Sequence, residues 1–248
     1  MPHVCGMALL SLPRGSRFTR LLREEAGLIV ALAVIAGGIL AFLKLADIVI
    51  EGETEAFDRA LLMHFRDSAA PEVAPGPAWL PAVMRDITAL GGVAALGLIV
   101  LFTATYFILV GKRGAALFVV VAVAGGTVLS QGLKMLFDRP RPDLVPNAPI
   151  ELTASFPSGH AMLSAVTYLT LGVLLTRLEA PRRVHAFFLA VAVIMTVLIG
   201  ISRVYLGVHW PTDVLAGWCL GAAWALLCWL LALWLQRRGG IENGAERP

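Results

Sequence analysis

Six stretches of this sequence are apolar for long enough to cross a hydrocarbon core, and that recurrence limits the possible folds more than any other feature. They run at about 27–44, 88–110, 115–137, 160–176, 186–202 and 213–235. A helix rising 1.5 Å per residue needs roughly 20 apolar residues to cross about 30 Å. Inside hydrocarbon every backbone N–H and C=O must be satisfied within the protein, so spans of this length are predicted to be α-helices. With 58% of 248 residues hydrophobic and 15% charged, no room remains for a separate soluble domain. The expected fold is therefore all-α and polytopic, with six transmembrane helices over 27–236 between tails at 1–26 and 237–248. The first stretch also has the basic flank and apolar centre of a secretory signal. Its length and the lack of a closing A-x-A site favour a retained span.

The placement of the basic residues gives an orientation. Arg14, Arg17, Arg20 and Arg23 precede the first span, and Lys112 and Arg113 lie in a tight GKRG turn. Arg177, Arg182 and Arg183 follow the fourth span, and Arg237 and Arg238 follow the sixth. The positive-inside rule puts all of these, and both termini, on the cytoplasmic side. The opposite connection at 47–86 is acidic, with Glu51, Glu53, Glu55, Asp58, Asp67 and Glu72. In it Phe57, Leu61 and Phe65 recur every four residues among Glu55, Asp58, Arg59 and Arg66. That period predicts a short amphipathic helix at the interface, either a surface anchor or a lid over 54–66. Cys5, Cys219 and Cys228 form no disulfide framework.

Three outer segments carry the unusual residues. KMLFDRPRP places Lys134 in the last turn of the third span, then Asp138, Arg139, Arg141 and Pro142. Its prolines hold the backbone extended. FPSGH offers Ser158 as an N-cap, Gly159 for close backbone approach and His160 at a helix start. SRVYLGVHWPTD carries Ser202 and Arg203, with His209 and Asp213 four residues apart. Each has an ordinary structural reading: flanking charge, a plain N-cap with a hydrogen-bonded histidine, and an interfacial histidine near an acid that suits the helix dipole.

Taken together they point elsewhere, because the topology puts all three on one membrane face, where ionisable groups are costly and usually functional. Lys134, Arg141 and Arg203 around a helix N-terminus suit a compact polyanion, and the guanidinium fork matches phosphate. The same cations disfavour a metal ion. Asp213 beside His209 would accept Nδ1–H and leave Nε2 to attack phosphorus. His160 would protonate the leaving oxygen and then activate water. Ser158, Gly159, Lys134, Arg141 and Arg203 would neutralise the phosphoryl oxygens.

These residues resemble the type 2 phosphatidic acid phosphatase and haloperoxidase superfamily, whose signature reads K-x6-R-P, P-S-G-H and S-R-x5-H-x3-D. Lys134 with Arg141 and Pro142, Pro157 to His160, and Ser202, Arg203, His209 and Asp213 match it in order and spacing across 134–213. The resemblance implies an acid phosphatase/haloperoxidase-like helical core. It also implies a metal-independent lipid phosphatase of the bacterial inner membrane, working at the periplasmic face through a phosphohistidine. The expected partners are a membrane lipid phosphate and the bilayer, with no cofactor, no metal and no nucleic acid. Undecaprenyl diphosphate is the first substrate expectation, with phosphatidylglycerophosphate and lipid A as alternatives. A lipid-linked phosphotransferase would use the same residues, whereas a non-catalytic binder or transporter would not need both histidines.

Overall fold

The computed structural model describes residues 17–66, 74–143, 153–176 and 181–237, with side chains from Ala26 to Gln236. The N-terminal tail's side chains with Cys5, Asp67, Glu72, Arg177 and the C-terminal arginine side chains lie outside these. All regular structure among the described residues is helical: α1 (Arg17–Ile50), α2 (Glu55–His64), α3 (Leu80–Ala89), α4 (Val93–Leu109), α5 (Arg113–Leu136), α6 (Gly159–Leu175), α7 (Arg182–Tyr205) and α8 (Pro211–Arg237). Residues 1–34 and 35–248 form two compact units. The first holds the beginning of α1, and the packing and site described below lie in the second.

Each of the six expected apolar segments is mostly helical, but they are unequal. Among the described residues four helices are long and apolar enough to cross a membrane: residues 26–50 of α1, α5, α7 and residues 211–236 of α8. The expected second span at 88–110 is not one straight helix. Leu90 to Gly92 break it, and α3 and α4 meet at 46°, a pair that makes a fifth span if taken as one. The expected fourth span is α6, with 17 residues.

α6 owes its position to its surroundings. It packs against α5, α7 and α8, and the run from Ala161 to Thr167 is buried without interruption. A helix enclosed by three others has no charged face to turn to water, which is why no Asp, Glu, Lys or Arg occurs in it. Small residues let α8 approach it closely. A Cβ at Gly217 would stand 2.8 Å from the Ser158 carbonyl oxygen, and one at Gly221 would stand 2.6 Å from that of Met162. These glycines therefore fix the separation between the start of α6 and the start of α8. Nearby, Phe42 and Ala46 of α1 close the bundle against Phe156 and Ala216.

The ends of four helices meet at one end of this bundle: the C-termini of α5 and α7 and the N-termini of α6 and α8. At about 1.5 Å per residue, α5 separates Lys134 from the Lys112–Arg113 turn by roughly 30 Å.

α2 is the helix that the amphipathic period predicts. Its stripe residues Phe57 and Leu61 are 55% and 37% exposed, while Thr54, Asp58, Leu62 and Arg66 are buried. The face turned inward is displaced by one residue from the apolar stripe, and it carries a carboxylate. Arg66 donates to the Tyr205 carbonyl at 2.9 Å, and the lost solvation pulls its guanidinium below the usual arginine range. The Tyr205 hydroxyl in turn donates to the Pro75 carbonyl at 2.9 Å, so Arg66 and Pro75 of the outer connection are both tied to the last residue of α7.

Candidate active site

α8 begins in a way that presets its first turn. Pro211 occupies the first helical position, where its missing N–H costs nothing, and the Asp213 carboxylate reaches back to accept the Trp210 N–H at 2.9 Å. That turn brings Asp213 Oδ2 to 3.3 Å from His209 Nδ1. Both residues are fully buried. The expected neighbourhood of imidazole and carboxylate is present, although His209 itself precedes the helix.

Two other groups fix the ring. Ser155 Oγ donates to Asp213 Oδ2 and lies 3.3 Å from His209 Nδ1. Arg141 Nη1 lies 3.3 Å from His209 Nε2. A guanidinium only donates, so in this contact Nε2 is the acceptor and the ring proton belongs on Nδ1, facing the carboxylate. The lone pair of Nε2 consequently points at the cation that the sequence assigns to phosphate. The expectation that Nε2 is left alone is modified, because Arg141 stands beside it.

Arg141 is itself held by carbonyls. It donates to Val208 at 3.0 Å, to Thr153 at 3.0 Å and to Ala154 at 3.5 Å. It also reaches Thr153 Oγ1 at 3.2 Å, which Lys134 Nζ reaches at 3.2 Å too, so one threonine hydroxyl joins the two cations. Ser158 caps α6 by accepting the Ala161 N–H at 3.4 Å, and its own N–H donates to the Asp213 carbonyl at 3.0 Å. Gly159 opens the helix against α5. A Cβ there would lie 3.6 Å from both Lys134 Cε and Ser130 Oγ, and 3.8 Å from Lys134 Nζ. The chain from His209 through Arg141, Thr153 and Lys134 to Gly159 is thus continuous.

His160 and Arg203 stand on the other side, against the bend between α3 and α4. Arg203 is buried and donates to Thr88 Oγ1 at 3.3 Å. A Cβ on Gly92 would come within 3.8 Å of His160 Nε2, and one on Gly91 would come within 2.5 Å of Ile199 Cγ2. The Tyr168 hydroxyl holds the bend by donating to the Leu90 carbonyl at 3.0 Å. The break in the expected second span therefore makes room for the half-buried histidine.

Arg139, which the sequence gives only as flanking charge, is a central connector. Its Nη1 donates to Asp213 Oδ1 at 2.5 Å and to Thr212 Oγ1 at 2.9 Å. Its Nη2 donates to Asp58 Oδ2 at 2.7 Å and to Thr54 Oγ1 at 3.1 Å. The guanidinium also lies 5.7 Å from the Trp210 ring centroid, within cation–π reach. Sequence reasoning missed Ser155, Arg139, Asp58 and Thr88. The available signals were the serine just before the FPSGH proline and the first arginine of the R-P-R-P stretch.

A buried imidazole between a carboxylate and a cluster of cations, at one end of an apolar helical bundle, fits the class of helical membrane phosphatases. It belongs to the PAP2 superfamily, whose model matches residues 115–237. Phosphatidylglycerophosphatase B of Bacillus subtilis is 39% identical over 145 residues, covering 58% of this chain and 70% of that protein. Undecaprenyl-diphosphatase of Sulfolobus acidocaldarius is 43% identical over 68 residues, covering 27% of this chain and 29% of the relative. The crystal structure of a transmembrane PAP2-type phosphatidylglycerolphosphate phosphatase from Bacillus subtilis superposes with a TM-score of 0.70 at 30% identity. That match covers 82% of this chain and 98% of the other.

Proposed function

We propose that the protein hydrolyses the terminal phosphate of a membrane lipid phosphate at the outer face of the inner membrane, through a phosphohistidine on His209 and without metal. The observation that carries this reading is the pair of contacts on one imidazole: Asp213 at Nδ1 and Arg141 at Nε2. The first orients the nucleophile and supports its positive charge, and the second puts phosphate-binding charge where attack occurs.

In the first step the Nε2 lone pair forms the bond to phosphorus while the bond from phosphorus to the lipid oxygen breaks, and His160 delivers a proton to that oxygen. In the second, His160 takes a proton from water, the water oxygen bonds to phosphorus, and the P–N bond returns its electrons to His209. Lys134, Arg141 and Arg203 spread over the phosphoryl oxygens with the Ser158 hydroxyl and the Gly159 N–H. The six apolar segments form six spans in this reading, and the lipid tail lies among them.

Phosphatidylglycerophosphate is the first substrate, because the relative of that name is matched over 70% of its length, well beyond the motifs. Undecaprenyl diphosphate is the second, supported by a 68-residue stretch at 43% identity. Purified protein given each lipid in detergent, without metal, is expected to release phosphate and to yield an acid-labile phosphoenzyme on rapid quenching. His209→Ala should remove both. His160→Ala should lower kcat about 100-fold or more with a small change in KM. Undiminished release by His209→Ala, or activity that a chelator removes and zinc or magnesium restores, would overturn the mechanism. Transfer to an added acceptor without free phosphate would make the protein a phosphotransferase.

A further inference from the structure

Resting on the nucleophilic role proposed for His209, we infer that Asp58 of α2 is a positioning residue that sets both the charge and the geometry of the Asp213–His209 pair from outside the three motifs. The supporting contacts are a fully buried carboxylate bound to the same guanidinium as Asp213 and to the first turn of the helix that carries Asp213.

The geometric part is direct. Asp58 Oδ1 accepts the Thr212 N–H at 2.9 Å, and Oδ2 accepts the Thr212 hydroxyl at 2.6 Å. A carboxylate at the first N–H groups of α8 acts as an N-terminal cap delivered from another helix, and its charge suits the positive end of the helix dipole. Asp213 is the next residue. Whatever fixes Thr212 therefore fixes the backbone that aims Asp213 at His209.

The charge part follows from counting. Arg139 lies on Asp213 Oδ1, and a guanidinium paired with Asp213 alone would cancel its charge. A cancelled carboxylate would do little for a positively charged imidazole. Asp58 sits on the other nitrogen of that guanidinium, so two carboxylates share one cation, and the ion-paired trio carries one carboxylate more than it has cations. The carboxylates are fully buried and the Arg139 side chain nearly so, so solvent screens this charge weakly. Burying such a trio costs desolvation that the ion pairs only partly offset, which makes it poor value as a stabilising device. Its use lies in the site.

The groups around His209 come from several elements. They are Asp213 from α8, Arg141 and Arg139 from the 137–143 segment, the uncharged Ser155 from the 153–158 segment, and Asp58 from α2 acting through Arg139. Lys134 of α5 joins through Thr153, and His160 and Arg203 stand against the bend between α3 and α4. Of the charges in this set, Asp58→Asn removes only that of Asp58.

The test is the pH profile of kcat/KM for the full-length protein in detergent, with a lipid phosphate that the wild type hydrolyses. Asp58→Asn keeps a side-chain oxygen for Thr212 and removes one negative charge, so the His209 imidazolium is less favoured. The acidic limb should move to lower pH by about one unit, with kcat down about tenfold and KM little changed. Asp58→Asn combined with Arg139→Gln restores the net charge, and its limb should return to the wild-type position. An Asp58→Asn limb that coincides with the wild type, whatever its kcat, overturns the inference. So does a double-variant limb displaced from the wild type, a comparison that still decides the matter if Asp58→Asn alone does not fold. A wild type that releases no phosphate, or an active His209→Ala, is the separate failure of the nucleophilic role and removes this inference with it.

Discussion

Ser155 Oγ touches both members of the pair that would do the chemistry, donating to Asp213 and lying 3.3 Å from His209 Nδ1. A hydroxyl bonded to a buried carboxylate stabilises it by about 1.5–3 kcal/mol, because one partner is ionised. Ser155→Ala should therefore lower kcat by about 10- to 100-fold while KM and secondary structure hold. Steady-state kinetics with circular dichroism checks this, and an unchanged kcat would remove Ser155 from the site. The eight proposed site residues were legible because their spacing is a pattern along the chain. Ser155 was not, because its importance comes from burial against residues 54 and 58 positions away. The same holds for Arg139, whose contacts to Thr54 and Asp58 lie 85 and 81 positions off.

At the scale of elements, helix identity was readable and helix environment was not. Apolar length predicts helices, but nothing in the period of α2 tells which residues it turns inward. The bend between α3 and α4 had a local signal in Gly91 and Gly92, whereas its purpose depends on Ile199 and His160 from two other helices. The seam between α6 and α8 is the element most open to test. Gly221→Val puts side-chain atoms where a Cβ alone would stand 2.6 Å from the Met162 carbonyl oxygen, and backbone yields little. That substitution should cost about 1–3 kcal/mol and lower the Tm of the purified protein. Gly97→Val, where a Cβ meets nothing within 4 Å, should leave Tm near the wild-type value. Equal effects at the two positions would show that helix propensity, not the seam, is responsible.

For the whole molecule the decisive prediction concerns sidedness. Lys112 and Arg113 start α5, and Lys134 ends it, so the basic turn and the site lie at opposite ends of one apolar helix. In a background with Cys5, Cys219 and Cys228 replaced, Lys112→Cys should react with a membrane-impermeant thiol reagent only after the membrane is opened. Trp79→Cys, 62% exposed at the start of α3, should react in intact cells. The reverse pattern would place the site in the cytoplasm. Sequence alone determined that the chain is a helical membrane protein and singled out three motifs whose residues meet at one end of the bundle. It could do so because apolar length, charge placement and motif spacing are local properties. The tertiary structure decided which further groups surround His209, where the second span breaks and why a carboxylate on α2 is buried. Burial of charge and close approach of backbones depend on segments as far apart as Asp58 and Thr212, 154 residues along the chain, and exist only once those segments pack.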